Sequence, residues 1–355
     1  MENHFIKNVE FENFKCFEKL KVKELKRVNL IGGKNNIGKT SFMEGLEMIA
    51  KPKSAFGLRI VSSEILRRRQ TKKIINQNQV VFQEFNLDFF LEQNSLINLK
   101  SNINTSKLKY INTGDEIQLN NIQIFSGPIN IMQNKAPVPF LEFSILTESL
   151  TTSVQDFLNT SIEDINHVLN NVNFISSCVT DEATLATYYG SLMDLNKEDY
   201  LYQSLENFDE NITSLKAIPA QHARMILKLK LKNRDTPVLL SSLGEGINRY
   251  IAILCAIWAS KDGYLFIDEI ENGIHYTNYE KLWKIIFDAS EKAKCQIFIT
   301  THSKECIEAF NRVNENDEGI YLEFYKNQKN GLIVVKERDN EQLEYALTHN
   351  SEIRG

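Results

Sequence analysis

The sequence predicts an α/β fold built on a mixed, largely parallel core sheet, with an N-terminal antiparallel β-subdomain and an inserted helical region. Three observations predict it. An apolar stretch, Val28–Asn29–Leu30–Ile31, runs straight into Gly32–Gly33 and then into a helical pattern. From Ser241 onward, buried strand-like runs alternate with helix-length segments, as parallel pairing through crossover helices requires. Between these ends lie short β-rich segments punctuated by glycine turns.

In order, residues 3–12 and 19–31 read as strands. A helix runs from Gly38 to about Ala50, with Phe42, Leu46 and Ile49 on one face. Residues 51–78 hold a second helix bearing Arg67–Arg68–Arg69, with Lys72–Lys73 after it. Segments 79–92, 95–112, 115–125 and 139–146 read as strands, with turns at Thr113–Gly114–Asp115 and Ser126–Gly127–Pro128. The polar stretch 150–210 reads as mostly helical and carries no heptads, which excludes a long coiled-coil arm. Leu227, Leu229 and Leu231 alternate with Lys228, Lys230 and Lys232, a half-buried strand. A loop at Ser241 leads to a helix 246–260, a strand 264–268, a helix 275–292, a strand 296–300 and a helix 303–313. Strands 319–326 and 331–337 and a helix 340–348 follow. The alternation at both ends implies a single domain over 1–355, its sheet completed by residues 1–50 and 220–355, with 51–220 inserted as a β-rich and helical subdomain.

Bulk properties narrow the class. The chain has 355 residues, a formal net charge of -5 and 42% hydrophobic residues, ordinary for a globular protein. Nucleic-acid contact through a general basic coat is excluded, so any such contact must be local. Cys16, Cys178, Cys255, Cys295 and Cys306 are scattered without a C-x-x-C pair, which fits a reducing compartment better than a disulfide framework or a zinc site. The start MENHFIKNVEF lacks the features of a signal peptide, and the longest apolar run, Tyr250–Ala259, is about half of what a bilayer span needs. A cytoplasmic location without membrane contact is expected.

Gly33–Lys34–Asn35–Asn36–Ile37–Gly38–Lys39–Thr40, followed by Ser41, matches G-x-x-x-x-G-K-[ST] between an apolar strand and a helix. Glycines let successive backbone N–H groups wrap phosphate oxygens, and the helix N-terminus adds a favourable dipole. The pattern assigns Lys39 to the β- and γ-phosphates of ATP and the Thr40 hydroxyl to Mg2+. Tyr264–Leu265–Phe266–Ile267–Asp268–Glu269 is an apolar strand ending in two acids, at the edge where open α/β sheets bind ligands. Asp268 would hold the magnesium ion through water, and Glu269 would polarise the attacking water as general base.

About 220 residues separate the two motifs. Just before the second stands Ser241–Ser242–Leu243–Gly244–Glu245–Gly246, opening a helix; Ser242 precedes Asp268 by 26 residues. Ser242, Gly244 and Glu245 would present a hydroxyl and free N–H groups to a γ-phosphate held by another subunit. The order of P-loop, long insert, Ser-Gly loop and acidic strand end is the layout of an ABC-type P-loop NTPase. His302, in Ile299–Thr300–Thr301–His302–Ser303, occupies the position of that layout's γ-phosphate sensor.

Taken together, the runs NFKCF (Asn13–Phe17), GKNNIGKTSFMEGL, LGEGINR, IDEIENGIHY and TTHS resemble the prokaryotic ABC-like, SMC-like AAA-family ATPases related to the OLD (overcoming lysogenization defect) proteins and RecF. The signature loop departs from the family pattern, SLGEG standing where LSGGQ is expected. The resemblance implies that Lys15 approaches the nucleotide phosphates and that Glu271, Asn272, Gly273 and His275 form a loop crossing a dimer interface. It also implies a magnesium-ligating glutamine, for which Gln79, Gln83 and Gln93 are all open. OLD proteins carry a Toprim nuclease after the ATPase, for which this chain has no room beyond His302. A separate effector, such as a Toprim nuclease or a toxin, is therefore expected.

Arg67–Arg68–Arg69–Gln70–Thr71–Lys72–Lys73 reads as a solvated helix face, as a phosphate-backbone contact on DNA or RNA, or as an arginine docking the partner. Tyr188, Tyr189, Tyr200 and Tyr202 read as helix core, since no basic residues interleave them. The expected function is an ATP-hydrolysing molecular switch that dimerises, or assembles further, around nucleotide and controls that effector in anti-phage defence. A RecF- or SMC-like DNA-repair ATPase and a slow, nucleotide-gated scaffold are the alternatives.

Overall fold

Residues 4–70, 74–76, 79–81, 96–111, 140–146, 148–153, 156, 171–177, 182–219 and 225–349 are described by the computed structural model. A hairpin of β1 (Val9–Phe14) and β2 (Phe17–Val22) precedes β3 (Val28–Gly33), α1 (Lys39–Ala50) and α2 (Ala55–Gln70). Two short strands, β4 (Ile74–Asn76) and β5 (Gln79–Val81), pair with each other. Next come β6 (Leu96–Ser101), β7 (Thr105–Ile111), β8 (Phe140–Ile145) and β9 (Glu148–Ser153), then β10 (Val172–Ile175), α3 (Glu182–Asp194) and α4 (Glu198–Phe208). Strands β11 (Ile212–Pro219), β12 (Met225–Leu231) and β13 (Val238–Leu239) lead into α5 (Glu245–Ala259) and β14 (Tyr264–Ile267). The remaining elements are α6 (Tyr279–Ala293), β15 (Gln296–Thr300), α7 (Lys304–Val313), β16 (Gly319–Lys326), β17 (Ile333–Arg338) and α8 (Asn340–Thr348).

Two six-stranded sheets carry the fold. One is antiparallel, in the order β2-β1-β6-β7-β8-β9; the other is mixed, in the order β10-β14-β15-β3-β16-β17, with every pair parallel except β16–β17. The second is the expected core sheet. Its inner strands β14, β15 and β3 are buried on both faces, so they read as continuous apolar runs. The period of two still decides which core each residue joins. Tyr264, Phe266 and Phe298 face a core shared with β1, α1 and the antiparallel sheet, while Leu265, Ile267, Ile297 and Ile299 face α5, α6 and α7. Helix α1 is thus held between the two sheets, and Phe42 stacks near Phe11 and Phe324 at ring separations of 5.4 and 5.1 Å.

Strand order places the motifs. In the register, Ile267 of β14 lies beside Ile299 of β15, and Thr300 beside Ile31 of β3. Because β15 lies between β3 and β14, the segment after Thr300 emerges between the loop after β3 and the acids after β14.

Several elements differ from the sequence expectation. Residues 19–31 are two strands in two different sheets, broken at the polar run Lys23–Arg27, where Leu25 N–H donates to Lys7 O. The stretch expected to be mostly helical contains strands β9 and β10; Val172–Ile175 is too short for periodicity, and parallel pairing with Tyr264–Ile267 sets its conformation. Strand β11 was not anticipated, and α6 starts later than expected, after a 3-10 turn at Tyr276–Asn278. The run 95–112 is a hairpin, β6–β7, closed by Ser101 and Asn104. The expected segments 82–92 and 115–125, the turns at 113–115 and 126–128, and Lys72, Lys73, Gln83, Gln93 and Cys178 lie outside the described residues, as does the side chain of Gln79. Tyr188 and Tyr189 are core residues, and the Tyr189 hydroxyl donates to Leu215 O at 2.8 Å. No helix among the described residues is long and apolar enough to cross a membrane.

Candidate active site

The loop after β3 turns into α1 at Gly38, whose φ of 94° caps the helix in the left-handed region. A side chain here would be strained, and its Cβ would fall 2.6 Å from Cys16 Sγ. Lys39, the first helical residue, is buried, and its ammonium curls back over the loop. It donates to Gly33 O at 2.6 Å and Lys34 O at 3.1 Å, and contacts His302 Nδ1 at 3.2 Å. An ammonium donor needs the lone pair at Nδ1, which puts the imidazole proton on Nε2, 3.8 Å from Glu269 Oε1. Burial lowers the Lys39 pKa to about 8, with Glu271, Asp268 and Glu269 opposing the shift.

The two acids after β14 are held differently. Asp268 Oδ1 accepts the Thr300 hydroxyl at 2.7 Å, and that same oxygen of Thr300 accepts the Glu269 N–H at 2.8 Å. Glu269 sits at φ 49°, a left-handed conformation that costs a non-glycine residue about 1–3 kcal/mol. Three contacts hold it there. Besides Thr300, the Arg249 guanidinium donates to the carbonyls of Asp268 at 2.6 Å and Glu269 at 3.2 Å, and Asn272 Nδ2 donates to Glu269 Oε2 at 2.8 Å. Glu271 turns the other way, accepting the His302 N–H at 2.6 Å and the Thr301 hydroxyl at 2.8 Å. Burial raises the Asp268 pKa, with the Thr300 hydrogen bond opposing it.

These groups surround one open cleft of about 680 Å³. Of the residues expected from the sequence, Asn35, Asn36, Ile37, Gly38, Lys39, Thr40, Ser41, Glu269 and His302 line it, as do Glu271 and Asn272. Gly33 and Lys34 contribute the carbonyls that hold Lys39. Asp268 lies behind Glu269 and is not among the lining residues.

Lys15, which the resemblance expects near the nucleotide phosphates, is held in an ion pair here. Its ammonium is bound to Glu44 Oε2 at 2.5 Å and does not line the cleft. Glu44, on α1 one turn after Thr40, is almost fully buried and also receives Arg69 Nε at 2.7 Å. Arg69 does line the cleft, and its sequence shows no sign of this, because it arrives there only through the fold of α2 onto α1. Arg68 donates to Glu47 and lies 4.0 Å over the Phe174 ring. Two of the three arginines in the basic run are therefore ion-paired with buried carboxylates of α1.

The Ser-Gly loop stands apart from the cleft of its own chain. Ser242 is exposed, its hydroxyl donates to Leu239 O at 2.7 Å, and neither it nor Gly244 nor Glu245 lines the cleft. Gly246 packs so closely on the loop after β14 that a Cβ there would be 2.8 Å from Gly273 O.

The donor set fits magnesium. Thr40 offers a hydroxyl at the cleft wall, and Asp268 is a desolvated carboxylate with no ion-pair partner among the described residues. Magnesium keeps most of its waters and needs only one or two protein oxygens beside substrate phosphates.

Residues 28–308 match the family described as "AAA domain, putative AbiEii toxin, Type IV TA system". The chain belongs to this family. It is an ABC-type ATPase, and the chemistry of its cleft is nucleoside triphosphate binding and hydrolysis. A Helicobacter pylori protein named ATP/GTP phosphatase is 24% identical over 379 residues, covering 99% of this chain and all of that protein. An uncharacterised protein of Methanocaldococcus jannaschii is 30% identical over 101 residues, 28% of this chain and 80% of its own length. Among solved structures, an SMC head bound to the C-winged helix domain of ScpA is similar at a TM-score of 0.50 and 10% identity, covering 95% of this chain and 99% of the other. That likeness concerns the fold alone: a mixed sheet joined to an antiparallel one, as expected from the sequence.

Proposed function

We propose that the protein is an ATP-driven switch whose two copies meet face to face, each Ser242 loop completing the other's cleft. The observation that carries this reading is the separation just described. The cleft holds one wall of a phosphate site, while the Ser242 loop and the N-terminus of α5 stand exposed outside it. Gly246 abuts Gly273, and Asn272 beside it lines the cleft, so the exposed loop and the cleft mouth share one continuous face. A second copy supplies the missing N–H donors and hydroxyl.

Within that pocket the backbone of Asn35–Ser41 cradles the phosphates. Lys39 leaves the carbonyls of Gly33 and Lys34 for the β- and γ-phosphates. Thr40 and Asp268 would hold a magnesium ion, which would neutralise phosphate charge. Glu269, fixed by Thr300, Arg249 and Asn272, orients and deprotonates the attacking water. His302 moves its contact from Lys39 to the γ-phosphate. No Phe, Tyr or Trp side chain lines the cleft among the described residues. This, with the name of the Helicobacter pylori relative, supports turnover of both ATP and GTP.

The family's description, naming a toxin of a toxin–antitoxin system, supports a place in defence; in this reading closure of the dimer controls a separate nuclease or toxin effector. Comparing wild type with Lys39→Ala and Glu269→Gln tests the reading. Lys39→Ala abolishes ATP binding. Glu269→Gln binds ATP, does not hydrolyse it, and accumulates as a dimer that Ser242→Arg disrupts. Full-speed turnover by a strictly monomeric nucleotide-bound protein contradicts the proposal.

A further inference from the structure

The outer face of the β11–β12–β13 sheet carries like charges directly opposite each other, an arrangement found in no other strand pair among the described residues. Lys216 of β11 stands directly opposite Lys228 of β12, and Lys230 follows two residues along the same strand. Direct cross-strand partners lie ~5 Å apart and same-face neighbours along a strand ~6.7 Å apart. The other face is occupied by Leu215, Leu227 and Leu229, all fully buried in the core that also holds α3 and α4. The lysines therefore project outward. Lys216 and Lys230 are exposed and Lys228 is half-buried. Ser214, Ile218, Ile226 and Leu239 are the other outward residues of the paired positions, so this face has no acid. Among the described residues none of the three lysines has an ion-pair partner; Lys232, just beyond β12, has one in Glu206 at 2.9 Å.

The hairpin β1–β2 shows the usual solution. There Glu10 faces Lys21 and Glu12 faces Lys19, and the lysines pair with these acids at 3.4–3.8 Å. Like charges placed directly opposite destabilise a strand pair. Without an acid opposite, the lysine strip gains no ion-pair stabilisation.

We propose that Lys216, Lys228 and Lys230 form a docking strip for the sugar–phosphate backbone of nucleic acid. The regular step along β12 matches a ligand with charge repeated along a line. The strip has no aromatic or amide side chain to stack on bases or read their edges, so it is blind to sequence. An acidic protein segment would meet the same charges, and the polyglutamate arm of the test below separates it from nucleic acid. Strand β13 continues directly into Leu240–Ser242 and α5, so the strip sits one short strand from the exposed loop of the proposed dimer. Stimulation of hydrolysis by bound nucleic acid rests on that dimer reading; the binding itself does not.

The test is fluorescence anisotropy with labelled oligonucleotides, single-stranded and duplex, on Lys39→Ala protein, so that loss of ATP chemistry cannot affect the result. Three lysines predict a slope of log K against log salt of about -2 for a single strand and about -2.7 for a duplex. The triple variant Lys216→Gln, Lys228→Gln, Lys230→Gln is expected to bind at least tenfold more weakly at low salt, with a slope near zero. Made in the wild-type background, it keeps its circular dichroism and basal ATPase rate. The proposal is overturned if wild type binds no oligonucleotide at low salt, if the triple variant binds as tightly as its parent, or if Arg67→Gln alone removes the binding. It is equally overturned if labelled polyglutamate binds as tightly as the oligonucleotide.

Discussion

The Thr300 hydroxyl links the two acids of the active site, donating to Asp268 Oδ1 at 2.7 Å while accepting the Glu269 N–H at 2.8 Å. Thr300 is the last residue of β15, and its neighbour β14 ends just before Asp268. One oxygen thus sets the rotamer of the carboxylate assigned to magnesium and the backbone of the residue assigned as base.

Thr300→Val should lose both hydrogen bonds while keeping the strand. Removing an outer partner of a metal-holding carboxylate costs ~10–100-fold in metal affinity or activity. Magnesium titration of the ATPase is expected to show that loss, with Thr300→Ser close to wild type. Because the Thr300 hydrogen bond holds the Asp268 pKa down against burial, the acid limb of kcat/KM should move to higher pH in Thr300→Val.

Lys39 makes nucleotide binding pH-dependent. In the free protein its ammonium deprotonates as pH rises through about 8, so ATP affinity weakens above that pH and binding takes up a proton. Calorimetry at pH above 8 in two buffers of different ionisation enthalpy measures that uptake; its absence contradicts the assignment. The stability sign is the reverse of a gained ion pair. The unfolded lysine keeps its proton up to about 10.5, so between about 8 and 10.5 the unfolded chain holds more protons and this residue's contribution to stability rises with pH.

Glu44 anchors two cations under the P-loop helix. Burial pushes its carboxyl up, but Lys15 and Arg69 outweigh that and hold it below the usual 4.5. Its stabilising pairs are present at neutral pH and are lost as pH falls through the depressed value. Glu44→Gln leaves both cations without their carboxylate and should destabilise by ~3–5 kcal/mol, read from the urea midpoint. A midpoint unchanged from wild type would show that these cations find other partners.

Arg249 crosses from α5 to the backbone of both acids. Arg249→Met leaves the carbonyls of Asp268, Glu269 and Ser176 without their charged donor, and should cost ~3 kcal/mol. Since Arg249 does not line the cleft, kcat is expected to fall while KM for ATP changes little. Steady-state kinetics decide; an equal rise in KM would place its effect on binding.

The motif residues were legible because their chemistry constrains neighbours along the chain. A phosphate cradle needs glycines and a lysine within eight consecutive residues, and a metal-holding acid needs an apolar strand just before it. Roles created by contact between distant segments left weaker traces. Thr300 was recoverable in principle, being the last residue of a strand that pairs in register with the one before Asp268. Arg69 and Lys15 were not. Both carry charges that a linear reading sends to solvent or phosphate, and only burial of Glu44 draws them together.

By itself the sequence determined the two-sided apolar strands, the loop that must wrap phosphates and the acids that must follow a buried strand, because each depends on residues within one element. The tertiary structure decided the order β14-β15-β3, and hence that His302 falls between Lys39 and Glu269. It also decided which charges are spent inside the fold and which, on β11 and β12, remain free for a ligand. Pairing energies depend on neighbours from different parts of the chain, and no local pattern specifies those neighbours.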